Sequence, residues 1–297
     1  MTRFQAFRSD VFASLKNPNF RLYVSGQSVS LVGTWMTQAA TLWLVYHLSS
    51  SLFYLGAAGF ASLLPSFLLS PLAGVGVDRV NRYRLLMVTQ MLSMLQSFAL
   101  AAFTLAGTIT VPLILALNAV QGAINAFDVP ARQALVVDFI TNREDLGSAI
   151  ALNSTMFNLA RLAGPALGGF VIAAVGAGAC FLIDGSSYLA VLACLLLMRL
   201  HLRPRTTPPR HPLVELREGV ATVFGFMPIR IIIVTVAIVG FTGFSYNVLA
   251  PMFARDVFGG DARTLGWLMA ASGFGALIGA AYLGSRASIH ELGKVIR

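Results

Sequence analysis

The chain has 297 residues, 57% of them hydrophobic and 11% charged, with a formal net charge of +9. A soluble globular domain carries about a quarter charged residues, so this composition excludes that class and points to a polytopic membrane protein. The positive surplus is gathered in loops between long apolar runs, a placement that excludes nucleic-acid binding and fits contact with a lipid bilayer.

Taken in order, residues 1–19 form a cytoplasmic N-terminal segment, in which residues 4–16 read as a basic, mildly amphipathic surface helix. The first apolar run is far too long for the core of a cleavable signal. Eight apolar segments can cross a hydrocarbon core of ~30 Å. They lie near residues 20–47, 52–77, 84–106, 111–129, 147–175, 179–199, 229–253 and 264–285. The first six make an N-terminal transmembrane bundle over residues 20–199. Residues 200–228 form a cytoplasmic linker, with an amphipathic pattern over 213–226. Residues 229–285 hold two spans of a second bundle, and 286–297 an incomplete cytoplasmic tail. The fold class expected is all-α, with the connections at 49–51, 107–110 and 176–178 short and uncharged.

Of the 21 Lys and Arg residues, all but Arg161, Arg255 and Arg263 fall on the side that holds the N-terminus. Positive charge marks the cytoplasm, so both termini of this chain are placed on the cytoplasmic side of the cell (inner) membrane. Cys180 and Cys194 share one helix ~21 Å apart and cannot bridge each other. Neither belongs to a metal-ligand cluster, and no metal or cofactor is expected.

A shift of 210 residues lays the seventh and eighth segments over the first and second without a gap. Pro18 meets Pro228, Gly33 meets Gly243, Leu55-Gly56 meets Leu265-Gly266, Ala61-Ser62 meets Ala271-Ser272, and Gly74 meets Gly284. Parallel repeats of this kind mark two related bundles. On this reading the sequence stops two spans into its second half.

Polar residues inside hydrocarbon are costly, so their pattern carries information. Gln27, Ser30, Thr34, Gln38 and Thr41 recur at helical spacing in the first span, Asn118, Gln121, Asn125 and Asp128 in the fourth, and Ser154, Asn158 and Arg161 in the fifth. Such rows face protein or water, either as hydrogen-bonding glue between helices or as the lining of a substrate pathway. Three aligned rows favour the pathway. Arg161 lies ~22 Å and Asp128 ~25 Å from the outer ends of their helices, so the two share a level and are expected to form an ion pair, structural or transport-coupled. Asp184, ~7 Å from the outer end of the sixth span, falls too far up to join that pair; it is placed near the headgroups, with a proton-carrying role as the alternative. Ala160, Gly164 and Gly168 give one helix face smooth enough for close packing, as do Ala271, Gly275 and Gly279 in the eighth span. Pro165 removes a backbone donor and predicts a bend.

The loop Gly74-Val75-Gly76-Val77-Asp78-Arg79-Val80-Asn81-Arg82-Tyr83-Arg84 resembles the loop between the second and third spans of the major facilitator superfamily, roughly G-x-L-x-D-R-x-G-R-[RK]. Gly74, Asp78, Arg79 and Arg82 match. Gly76 and Asn81 depart, the latter mildly because Asn tolerates a left-handed backbone. Gly164-Pro165-Ala166-Leu167-Gly168-Gly169 resembles the Gly-Pro-x-x-Gly-Gly core of the fifth-span motif of that superfamily's exporters. The block from Ala126 to Asp138, with Asn153, Asn158 and Arg161 downstream, is similar to the enterobactin-exporter-like branch, also called transmembrane secretion effectors. The likeness runs from about Leu15 to the end of the chain. Where many members carry Arg in the fourth span, this chain has Asn118.

The resemblance implies a major-facilitator fold and secondary active export of a small-molecule substrate, of siderophore or drug class, by alternating access with the proton as coupling ion. It further implies a conformational gate at Gly74, Asp78, Arg79 and Arg82, and helix rocking about Gly164, Pro165 and Gly168. A truncated membrane scaffold or remnant without transport is the rival reading. The sequence shows no His-Glu metal cluster, nucleophile elbow or phosphate-cradling loop, so it is not read as an enzyme.

Overall fold

The computed structural model describes residues 13–77, 79–139, 146–198, 221, 224–243 and 245–284. Its helices are α1 (Pro18–Ser49), α2 (Leu52–Val77), α3 (Arg82–Leu105), α4 (Val111–Phe139), α5 (Leu146–Val175), α6 (Ala177–Leu197), α7 (Met227–Gly243), α8 (Ser245–Met252) and α9 (Ala262–Gly284). A short 3-10 turn, Ala13–Lys16, precedes α1, and a π-helical turn, Phe253–Val257, prolongs α8. Among the described residues there is no strand, and α2 to α6 have the length and apolarity to cross a membrane. The expected linker helix and N-terminal surface helix, apart from the turn at Ala13–Lys16, lie mainly outside the described residues.

Local chemistry sets the ends of these rods. Asn17 caps α1, its side chain accepting from the amides of Asn19 at 3.0 Å and Phe20 at 3.3 Å, with Pro18 at the first helical position. Its amide also donates to the carbonyl of Phe139, tying the start of α1 to the end of α4. Asn81 caps α3 by accepting from the Arg84 amide at 3.0 Å. Its φ is −68°, so its place in the charged loop is explained by capping and not by tolerance of a left-handed backbone. At the other end, α5 passes into α6 through Gly176 alone, whose φ of +89° a side chain would strain.

The helices pack around α1, which lies against α5 and α6; α3 fills the angle between α4 and α6, α2 runs along α4, and α9 along α5. Contact is closest where glycine removes the side chain. A Cβ on Gly164 would come within 2.5 Å of Trp35 Cβ, and one on Gly168 within 3.0 Å of Met36 Cγ, so the expected smooth face of α5 meets α1. On its adjacent face, a Cβ on Gly169 would lie 2.5 Å from the Ala262 carbonyl, and one on Gly273 would lie 2.8 Å from Leu162 Cα. The face of α9 that meets α5 is therefore built on Gly266 and Gly273. Gly275 and Gly279 have open space around them, because they sit on the opposite side of the helix. The backbones of α2 and α4 meet where Gly122 lies on the carbonyl of Ser62.

An apolar cluster of Ala39, Ala250, Ala254, Leu265 and Met269 joins α1 to α8 and α9, and two others fill the first six helices. One gathers Met36, Val45, Tyr46, Leu55, Leu100, Ile114 and Phe181 toward the C-terminal end of α1. The other gathers Phe20, Tyr23, Leu86, Leu135, Phe139, Met156 and Leu195 toward its N-terminal end. Large apolar side chains such as Phe53, Phe60, Phe67 and Ile232 remain exposed, as lipid-facing positions require.

Candidate functional site: a polar layer inside the bundle

Between the two apolar clusters lies a layer of buried polar side chains. Gln27 and Ser30 come from α1, Thr89, Gln90, Ser93, Gln96 and Ser97 from α3, Asp128 from α4, and Asp184 and Ser187 from α6. The α3 contribution was legible as a row at three- and four-residue spacing but went unread beside the rows of the first, fourth and fifth spans.

Asp128 anchors one half of the layer. Its Oδ1 accepts from Thr89 Oγ1 at 2.8 Å and from Gln90 Nε2 at 2.7 Å. Its Oδ2 is bound by the guanidinium of Arg132, one turn further along the same helix. The Asp128 side chain is 2% exposed and that of Arg132 24%, so the pair is compensated, bonded on both oxygens and largely dry. This corrects the expected Arg161–Asp128 pair. Helix α4 continues through Pro130 to Phe139, which keeps Arg132 on the helix and within reach of Asp128, whereas the guanidinium of Arg161 lies over the Trp35 ring, 5.7 Å from its centroid. Trp35 in turn meets Phe157 edge-on at 5.5 Å.

The remaining α4 row bonds across to its neighbours. Asn118 Nδ2 reaches the Ala58 carbonyl of α2 at 3.5 Å, and Gln121 Nε2 reaches Ser93 Oγ of α3 at 3.1 Å and Asn125 Oδ1 at 3.0 Å. On α5, Asn158 bonds back to the Ser154 carbonyl at 2.9 Å. On α1 the row divides: Gln27 is buried, while Thr34 and Gln38 are exposed.

Asp184 anchors the other half. It is 2% exposed, so it does not sit among headgroups. Its neighbours on α1 reach mid-helix: a Cβ on Gly33 would fall 2.8 Å from Asp184 Oδ1. Ser97 Oγ donates to Oδ2 at 2.8 Å, and Thr34 Oγ1 lies 3.5 Å from Oδ1 and 3.4 Å from the Tyr188 hydroxyl.

Of the charged loop, Gly74 is exposed at the end of α2, and the Arg79 amide closes a turn on the Gly76 carbonyl at 3.0 Å. Arg82 opens α3, and Asp78 lies outside the described residues. Pro165 is buried within α5, which runs unbroken through it.

Membrane-length helices holding a buried polar layer define a multi-pass membrane protein. A family described as transmembrane secretion effector matches residues 9–292. The chain belongs to this family of the major facilitator superfamily. It is similar to the staphyloferrin A transporter of Staphylococcus aureus (strain NCTC 8325 / PS 47), with 28% identity over 273 residues covering 87% of this chain and 65% of that protein. It is also similar to the multidrug efflux pump Tap of Mycolicibacterium fortuitum, with 26% identity over 84% of this chain and 62% of that protein. A third relative is the multi-drug resistance efflux pump PmrA of Streptococcus pneumoniae serotype 4 (strain ATCC BAA-334 / TIGR4), 26% identical over 78% and 56% respectively. The chain thus spans less than two thirds of the length of these relatives.

Proposed function

We propose that this chain carries the translocation machinery of a secondary exporter for a small organic molecule, of the siderophore or drug class, in the cell (inner) membrane. The observation that supports it most is the buried polar layer, since hydrocarbon-embedded amides and carboxylates on four helices are costly unless the bundle uses them. The family supplies the class of activity, and the relatives' named cargoes supply the class of substrate.

In this reading the N-terminus faces the cytoplasm and the loop at Gly74, Asp78, Arg79 and Arg82 holds the cytoplasmic side in one of two arrangements. Thr34 and Gln38 are the exposed members of a pathway in which Gln27 is buried, Asn118, Gln121 and Asn125 bond to protein and Asn158 bonds back to its own helix, all of them uncovered further as the helices rock. Rocking is supported by the smooth faces about Gly164, Pro165 and Gly168. Inward proton flow provides the driving force.

Everted membrane vesicles from cells expressing the gene test this directly. A pH gradient, acid inside, is expected to drive uptake of ethidium or of a hydroxycarboxylate siderophore, and a protonophore to stop it. Uptake of every probe no greater than in vesicles without the protein would reject the proposal.

A further inference from the structure

Asp184 differs from the other buried acid, Asp128, in having no counter-charge: it forms no ion pair among the described residues, whereas Asp128 holds Arg132. The groups around it are neutral. α1 presents Gly33, Thr34 and the buried hydroxyl of Thr37, α3 presents Ser97, and α6 itself places Cys180 one turn before and Tyr188 one turn after. On α5, Arg161 is turned to Trp35, and on α4 the Asp128–Arg132 pair is internally compensated.

Hydrogen counting shows that the carboxyl group fits here in its protonated form. Thr34 has one hydroxyl hydrogen, and its shorter bond, 3.0 Å, goes to the Ser30 carbonyl. That leaves the Thr34 oxygen as an acceptor toward its two other neighbours, Asp184 Oδ1 at 3.5 Å and the Tyr188 hydroxyl at 3.4 Å. Thr34, Tyr188 and Ser97 are satisfied if Oδ1 carries a proton and donates it to Thr34 while Oδ2 accepts from Ser97, and the buried Thr37 hydroxyl stands beside the group as a further donor for its deprotonated state. A bare carboxylate here would have only hydroxyls, Ser97 and Thr37, and no cation to meet it, which is costly for a buried charge.

We propose that Asp184 is a reversible proton-binding site, closed over its proton in this conformation, with Thr34 as the switch that lets the proton go. Thr34 is exposed on its outer side, so it lies between the buried acid and the accessible face of α1. On release, the O–H bond at Oδ1 breaks and the proton passes to water at that face. The Thr34 hydrogen turns from the Ser30 carbonyl to Oδ1, so the carboxylate is left bonded by hydroxyls alone. The site deepens the proton-coupled reading above and rests on it for its place in transport.

Infrared difference spectroscopy of the purified full chain tests the site without requiring transport. A protonated-carboxyl band, shifted in D2O, is expected; Asp184→Asn should abolish it, and Asp128→Asn should leave it. Thr34→Val keeps the side-chain shape without the hydroxyl and should move the band. It serves as the reading if Asp184→Asn fails to fold. A band that survives Asp184→Asn, or is unmoved by Thr34→Val, overturns the proposal. In everted vesicles, Asp184→Asn should lose pH-driven ethidium uptake. Should the unaltered chain move no ethidium, the exporter reading falls while the infrared result still decides Asp184.

Discussion

The hydroxyl of Tyr46, near the C-terminal end of α1, donates to the carboxylate of Asp256, which lies 210 residues further along. That interval is the one that superposes the seventh and eighth segments on the first and second, so the contact joins matching positions of the two repeats. Arg255 reinforces it, lying 5.8 Å from the Tyr46 ring centroid and donating to Ser50 Oγ at 3.2 Å.

Loss of this contact should loosen the turn after α8. Ala254 is fully buried beside it, so a cysteine at that position reports opening. Tyr46→Phe is expected to speed maleimide labelling of Ala254→Cys about fivefold, the factor that ~1 kcal/mol of lost hydrogen bonding gives. An unchanged labelling rate would mean that the hydroxyl holds nothing closed.

The two arginines of the membrane interior should differ in weight. Arg132→Ala leaves the Asp128 carboxylate buried without its cation, a loss of about 3 kcal/mol, near the low end for such pairs because the guanidinium is partly exposed. Arg161→Ala removes a cation–π contact worth about 1 kcal/mol. Unfolding midpoints in detergent should therefore fall further for Arg132→Ala, and the reverse order would contradict the pairing.

Glycine placement on α9 makes a paired prediction. Gly273→Leu drives a side chain into the α5 backbone at Leu162 and should lower the unfolding midpoint sharply, whereas Gly275→Leu enters open space and should alter stability by less than about 0.5 kcal/mol. Equal effects of the two would show that α9 is rotated from the orientation described.

At the start of α3, Asn81→Ala should cost about 1 kcal/mol and Asn81→Gly only a few tenths, the pattern of a lost cap. Faster hydrogen exchange at the Arg84 amide would report it. A gain in stability for Asn81→Gly would instead indicate a left-handed backbone at that site.

The rods and their short joints were legible because apolar length and loop chemistry are local properties. The runs ending near Ser50, Ala106 and Gly176 mark turns that the structure places within a residue or two. The smooth face at Gly164 and Gly168 was legible for the same reason, since spacing alone puts both on one side of a helix. The partner of Asp128 was not. Counting residues from a helix end gives depth but no direction around the axis, so Arg161 and Asp128 share a level yet point to different neighbours. Arg132 was hidden because the fourth span was ended at residue 129, before Pro130, and a helix enclosed by others can carry a proline without stopping. Asp184 was misplaced by the same one-dimensional count, which measures distance along α6 and takes no account of α1 and α3 standing alongside it.

Helix α5 meets α1 closely at Gly164 and Gly168 and α9 at Gly169, and each glycine track is flanked by an aromatic edge contact, Trp35–Phe157 on one side and Phe170–Trp267 on the other. A rod held between two such tracks lies close to both partners and is held in register by the aromatic pairs. A displacement of α9 therefore reaches the first bundle through a few aromatic side chains, while the glycine tracks themselves offer no rotamer to change.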